Sequence, residues 1–92
     1  MKEQIFINKV ENYLIESGAN FVKNSIEFVG IRENHIISNE KPKDYYFLSY
    51  DAVTDKNNQY STKSYFVLID KISNKISYII GPQSLEKIED SE

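Results

Sequence analysis

The hydrophobic pattern changes period at Gly18, and that change decides what a chain like this can fold into. Upstream, Phe6, Ile7, Val10, Tyr13 and Leu14 fall within an arc of about 120° on a helical wheel, the width of one core-facing stripe. The spacing predicts an amphipathic helix over residues 2–17. Gly18 closes it, because a left-handed C-terminal cap favours a residue without a Cβ.

Downstream the period is two. Ile26, Phe28 and Gly30 alternate with Glu27, Val29 and Ile31, which reads as a strand with Phe21–Val22 as its beginning or lead-in and Asn24–Ser25 as a bulge or break. Arg32 to Asp44 mixes Asn, Pro and acids around Ile36–Ile37 and is expected to be an exposed loop anchored by those two isoleucines. Tyr45 to Val53 places Tyr46, Leu48, Tyr50 and Ala52 on one face, with Tyr45, Phe47, Ser49 and Asp51 on the other. Thr54 to Asn58 is read as a turn, and Tyr65 to Ile69, apolar on both sides, as a central strand buried under the helix. Asp70 to Lys75 is a hairpin connection, with Asn74 at the position of positive φ that Asn tolerates better than other residues with a Cβ. Ile76, Tyr78 and Ile80 return, Gly81–Pro82 stops them, and Ser84 is placed to cap a short helix through Leu85 and Ile88.

The expected fold is therefore α+β: an N-terminal helix packed on an antiparallel sheet of about four strands, with a short C-terminal helix. Residues 1–92 make one domain with an acidic tail at 86–92, too short for a second domain and with little to spare for a deep, enclosed active site. Strand Ile26 to Ile31 is the expected sheet edge. The 92 residues contain no cysteine, which removes disulfides, thiolate metal sites and cysteine nucleophiles, and suits a reducing cytoplasm. Neither a membrane span nor a signal peptide is expected, since polar residues interrupt the apolar run after Lys2.

Most chemistry is excluded on residue type. Gly18, Gly30 and Gly81 are too dispersed to form a phosphate-binding or dinucleotide-binding turn. His35 is the only histidine, has no nucleophile in a recognisable elbow nearby, and reads as a surface residue. Asp55, Asn57 and Gln59 have calcium-loop spacing, but Tyr60 replaces the required Gly and Phe66 the bidentate Glu. Asp51, Asp55 and Asp70 sit at strand ends, where aspartates usually serve turns. No catalytic residue, cofactor or metal is expected, and the protein is not expected to be an enzyme.

Eleven Lys and Arg against fourteen Asp and Glu give a net charge of −3, and the basic residues are scattered, so nucleic acid is not an expected partner. Lys63 to Ile69 bears a faint likeness to an RNA-recognition strand but lacks the glycines and reads as core. Glu86 to Glu92 carries four acids and one Lys, which favours a basic protein partner over nucleic acid, although an acidic tail more often serves plain solvation. Seven tyrosines are many for this length; Tyr45 and Tyr60, at strand ends, are candidate anchors for a protein partner.

The helix ending Val10–Glu11–Asn12–Tyr13–Leu14, the aromatic strand Tyr45 to Tyr50, and the hairpin Ser64 to Ile76 followed by Gly81 and Leu85 together resemble the YrhB-like, immunity protein 35 family. The likeness extends over residues 6–88. It implies an immunity protein of a bacterial toxin system that binds a cognate toxin domain and blocks it without catalysis. With no signal peptide expected, that toxin is expected to be neutralised in the cytoplasm; the protein itself is expected to be a monomer or homodimer. On exposure, the partner surface is expected at Tyr45, at Asp55, Asn57, Asn58 and Tyr60 of the 54–60 loop, and at Glu86, Glu89 and Asp90 of the tail. Two other classes fit the composition. One is a small-molecule-binding domain whose concave sheet uses Asp51 or Asp70; the other is a chaperone-like module that pairs through its sheet edge.

Overall fold

The computed structural model describes residues 2–37, 41–55, 58–82 and 85–88, with the side chains of 2, 55 and 58–60 outside that description. One helix, α1 (Lys2–Glu16), is followed by five strands: β1 (Glu27–His35), β2 (Lys43–Asp55), β3 (Asn58–Asp70), β4 (Ile76–Ile80) and β5 (Leu85–Lys87). The strands form a single sheet in the order β1-β2-β3-β4-β5, each antiparallel to its neighbour.

The helix ends as its sequence dictates. Gly18 adopts φ 75°, its N–H donates to the Ile15 carbonyl at 3.1 Å, and the Ala19 N–H reaches the Leu14 carbonyl at 2.9 Å. This pair of bonds is the Schellman arrangement, which satisfies carbonyls the helix leaves open. The chain then lies along β2 beyond the end of β1, with Phe21 bridging Ala52 and the Val22 N–H donating to the Asp51 carbonyl. Asn24, at φ 76°, breaks this lead-in from β1, and the Ser25 hydroxyl accepts from the Asp51 N–H.

The predicted α+β class is correct, and three details change. The expected four strands are five, because the segment read as a C-terminal helix is β5: Leu85 pairs with Ile80, Glu86 with Ile79 and Lys87 with Tyr78. The free edge of β4 offers a row of backbone donors and acceptors, and three residues suffice to use it. The 32–44 segment is not wholly loop. β1 continues to His35 and β2 starts at Lys43, across a bulge where Asn34 takes φ 52° and donates its N–H to the Asp44 carboxylate at 2.9 Å. The turn read at Thr54 to Asn58 is also shorter, since β2 and β3 stay paired out to Asp55 and Asn58. Its polar residues carry no alternation, yet the exposed arm of a hairpin needs only backbone pairing; Thr54 adds a bond from its hydroxyl to the Ser61 carbonyl.

Directly opposed residues of antiparallel strands share a face, so the register assigns both sides of the sheet. Tyr46, Leu48 and Tyr50 on β2 and Tyr65, Val67 and Ile69 on β3 form the helix side, with Ile79 of β4. Phe6, Val10 and Leu14 of α1 pack there, joined by Ile26 and Ile76. Tyr45 and Phe47 on β2, Leu68 on β3 and Tyr78 on β4 form a second cluster on the far side, closed by Ile37 from the β1–β2 connection. Of the isoleucine pair expected to anchor this segment, Ile37 is buried and Ile36 points outward at 60% exposure.

Candidate partner surface

The far side of the sheet is covered over only part of its length. The register aligns two neighbouring cross-strand rows there. Gly30, Phe47, Leu68, Tyr78 and Lys87 form the first, and Ile37 closes over its aromatic part. Glu27, Ser49, Phe66, Ile80 and Leu85 form the second and cross all five strands. In this second row Phe66 is 39% and Leu85 45% exposed, with Ile80 half-buried between them.

The reason lies in the length of the cover. One helix hides one face, and among the described residues the short β1–β2 connection brings a single buried isoleucine to the other. The apolar second row therefore faces outward between acidic neighbours. Glu27 ends it on β1, and Asp51 and Ser64 follow in the next row, where the Ser64 hydroxyl donates to the Asp51 carboxylate at 3.3 Å. Of the basic groups of this side, two stand at the covered end, and the exposed Lys87 ends the first row on β5, beside Leu85. The Arg32 guanidinium lies 5.6 Å from the Phe47 ring centroid, and the Lys43 ammonium is 3.8 Å from the Asp70 carboxylate. His35 sits among them, edge-on to Phe47 at 5.1 Å and to Tyr45 at 6.2 Å between ring centroids.

The residues expected to bind a partner do not come together. Tyr45 is only 2% exposed, and its ring meets Tyr78 edge-on in the far-side cluster, so the expectation of an exposed anchor there is wrong. It begins a strand by position, but β1 and the Ile37 segment continue beyond it. Glu86 is exposed on β5 and belongs to the helix side, opposite Ile79. Asp55 and Asn58 pair through their backbones, and Tyr60 lies within β3; the side chains of all three, and the whole of Asn57, Glu89 and Asp90, lie outside the described residues.

Glu86 does join a group of tyrosines. Burial pushes the Tyr50 hydroxyl up to about 12, assisted by Tyr65, Glu86 and Tyr13, and Tyr13 is raised by burial and by the Glu86 charge. The Tyr50 and Tyr65 rings are 5.6 Å apart. Asp70, weighed as a ligand contact, serves its turn: one carboxylate oxygen accepts from the Ile72 and Ser73 N–H groups. No group of three or more His, Cys, Asp or Glu side chains comes together among the described residues.

Phe66, Ile80 and Leu85 escape a sequence reading because Phe66 lies in a segment that looks buried on both sides and Leu85 in an expected helix. A signal was present: a second apolar sheet face needs a cover, and the sequence offers only Ile36–Ile37 for it. No helix of the described residues is long and apolar enough to cross a membrane. No family model matches the chain, and neither a curated protein nor a solved structure matches it.

Proposed function

We propose that this domain is a non-catalytic binding protein of the immunity type, which holds a cognate toxin domain in a stoichiometric complex in the cytoplasm and blocks it. The observation that carries the reading is the open row of Phe66, Ile80 and Leu85 between Glu27 and Asp51. Apolar side chains at the centre of a surface, with the acids Glu27 and Asp51 on its β1 and β2 side, suit a partner with an apolar patch and basic groups facing those strands. The net charge of −3 supports the same sign of partner by favouring its approach. The resemblance of residues 6–88 to immunity proteins supplies the class of partner.

The experiment is capture and neutralisation. Tagged protein is used to recover partners from lysate of its source cells, and the recovered protein is then expressed in a host with and without this domain. The reading expects one partner in stoichiometric amount, toxic alone and harmless when co-expressed with the wild-type domain. Phe66→Glu together with Leu85→Glu should restore toxicity while leaving the thermal midpoint of the domain within a few degrees. A captured protein that is harmless by itself, or a toxin still neutralised by the double variant, contradicts the reading.

A further inference from the structure

The helix side of the molecule carries a second concave feature, remote in kind from the open row. A cleft of about 440 Å³ opens between the first half of α1 and the β3–β4 turn, lined by Ile5, Phe6, Lys9, Tyr46, Lys71 and Asn74. That volume falls in the range of small-molecule sites. Its apolar part is well defined: the Phe6 and Tyr46 rings stand 4.3 Å apart between centroids, and Ile5 beside them is 61% exposed.

Its charge runs against that of the chain. The lining residues include two lysines and no acid, in a protein of net charge −3. The Lys9 ammonium donates to the Asn74 carbonyl at 2.6 Å, which uses one of its three N–H groups and ties α1 to the turn. Lys71 is half-buried, and its ammonium has no hydrogen bond or ion pair among the described residues. Its backbone is fixed, since the Lys71 N–H donates to the Asp44 carbonyl at 3.0 Å.

The turn that forms one wall is held from within. Besides the two bonds to the Asp70 carboxylate, the Asn74 N–H donates to the Asp70 carbonyl at 2.7 Å, with Asn74 at φ 61°. A wall fixed in this way loses little freedom when a ligand arrives. Two ammonium groups select an anion and repel a cation, and the ring pair with Ile5 takes an apolar body.

We propose that this cleft binds a small organic anion with an apolar body, its carboxylate lying at the Lys9 and Lys71 ammonium groups and its apolar part against Ile5, Phe6 and Tyr46. The site is independent of the partner surface on the far side of the sheet.

The test is a titration of the full chain with octanoate, and separately with octan-1-ol as a neutral molecule of the same length, followed by backbone amide NMR shifts. The expected result is saturable shifts at Phe6, Lys9, Lys71 and Asn74 with octanoate and weaker binding of the alcohol. Lys71→Gln should weaken octanoate about tenfold, the usual scale of a lost charge-assisted bond, while Lys71→Arg keeps most of the affinity. Octanol binding should be the same in all three proteins. Thermal midpoints show whether each variant remains folded, and Lys71→Met, which also removes the charge, carries the comparison if the glutamine variant does not fold. Absence of saturable shifts at these residues, equal binding of acid and alcohol, or an affinity indifferent to the charge at Lys71 overturns the proposal.

Discussion

The two sides of the sheet share one backbone but differ in how they are closed. On the helix side, Val10 and Leu14 of α1 meet Leu48, Val67 and Ile69, all at 0–1% exposure. On the far side, Leu68 is as deeply buried, yet one row along the sheet Phe66 and Leu85 stand open. A 15-residue helix can lay three buried side chains across the sheet, whereas the β1–β2 connection contributes Ile37. The difference teaches that apolar composition alone does not make core. Burial needs a second layer of matching extent, and where the layer ends an apolar row becomes a surface.

The comparison is broken most directly by cutting each layer in turn. Leu48→Ala, beneath the helix, should cost about 3–4 kcal/mol in urea unfolding, as for a fully enclosed leucine. Ile37→Ala should cost less, about 2 kcal/mol, because the half-open far side can relax around the gap. Equal losses would mean that the two sides are closed alike. Amide exchange sharpens the point: the Ile37 variant should expose the Tyr45 and Phe47 region of β2 while α1 keeps its protection.

A smaller effect is expected where the helix layer stops. Gly18→Ala puts a Cβ on a residue at φ 75°; nothing lies within 4 Å of that atom, so the cost is conformational, about 1 kcal/mol. A Gly18→Ala variant as stable as the wild type would remove the left-handed cap from the account.

The helix side also carries an alkaline signature. Tyr50 holds its proton up to about 12 against an ordinary value of 10, so the folded state binds that proton more tightly than the unfolded one. Its contribution is complete below pH 10 and is lost as the pH rises through about 12. Tyrosinate absorbance should therefore show a late-titrating tyrosine that is missing from Tyr50→Phe, and stability should decline less steeply above pH 10 in that variant. A Tyr50→Phe titration superimposable on the wild type would contradict the burial of this hydroxyl.

What was legible in the sequence follows the same division. The helix stripe, the Gly18 cap, the hairpin with Asn74 at positive φ and the alternation of β2 could be read because each follows from a local rule. β5 could not, since Leu85–Lys87 has no periodicity of its own and is a strand only because β4 offers an edge. Tyr45 was misplaced for a related reason: its burial comes from Tyr78, distant along the chain, and from Ile37, which the β1–β2 connection folds back over it. The open row is harder still. Glu27, Ser49, Phe66, Ile80 and Leu85 become one feature only when four strand registers are known together.

The smallest effect on stability is expected in that row. Phe66→Ser should change unfolding free energy by no more than about 1 kcal/mol, because its ring is already partly in water. A larger loss would return Phe66 to the core.

The central claim is that this open row is where a partner docks, and calorimetry of the captured partner against three proteins tests it most directly. The wild type sets the reference, Glu86→Gln serves as a helix-side control, and Phe66→Glu disrupts the row without unfolding the domain. The account predicts affinity within twofold of the wild type for the control and a loss of at least about tenfold for Phe66→Glu. Wild-type affinity in Phe66→Glu, or a greater loss in Glu86→Gln, would place the partner on the other side of the sheet and contradict it.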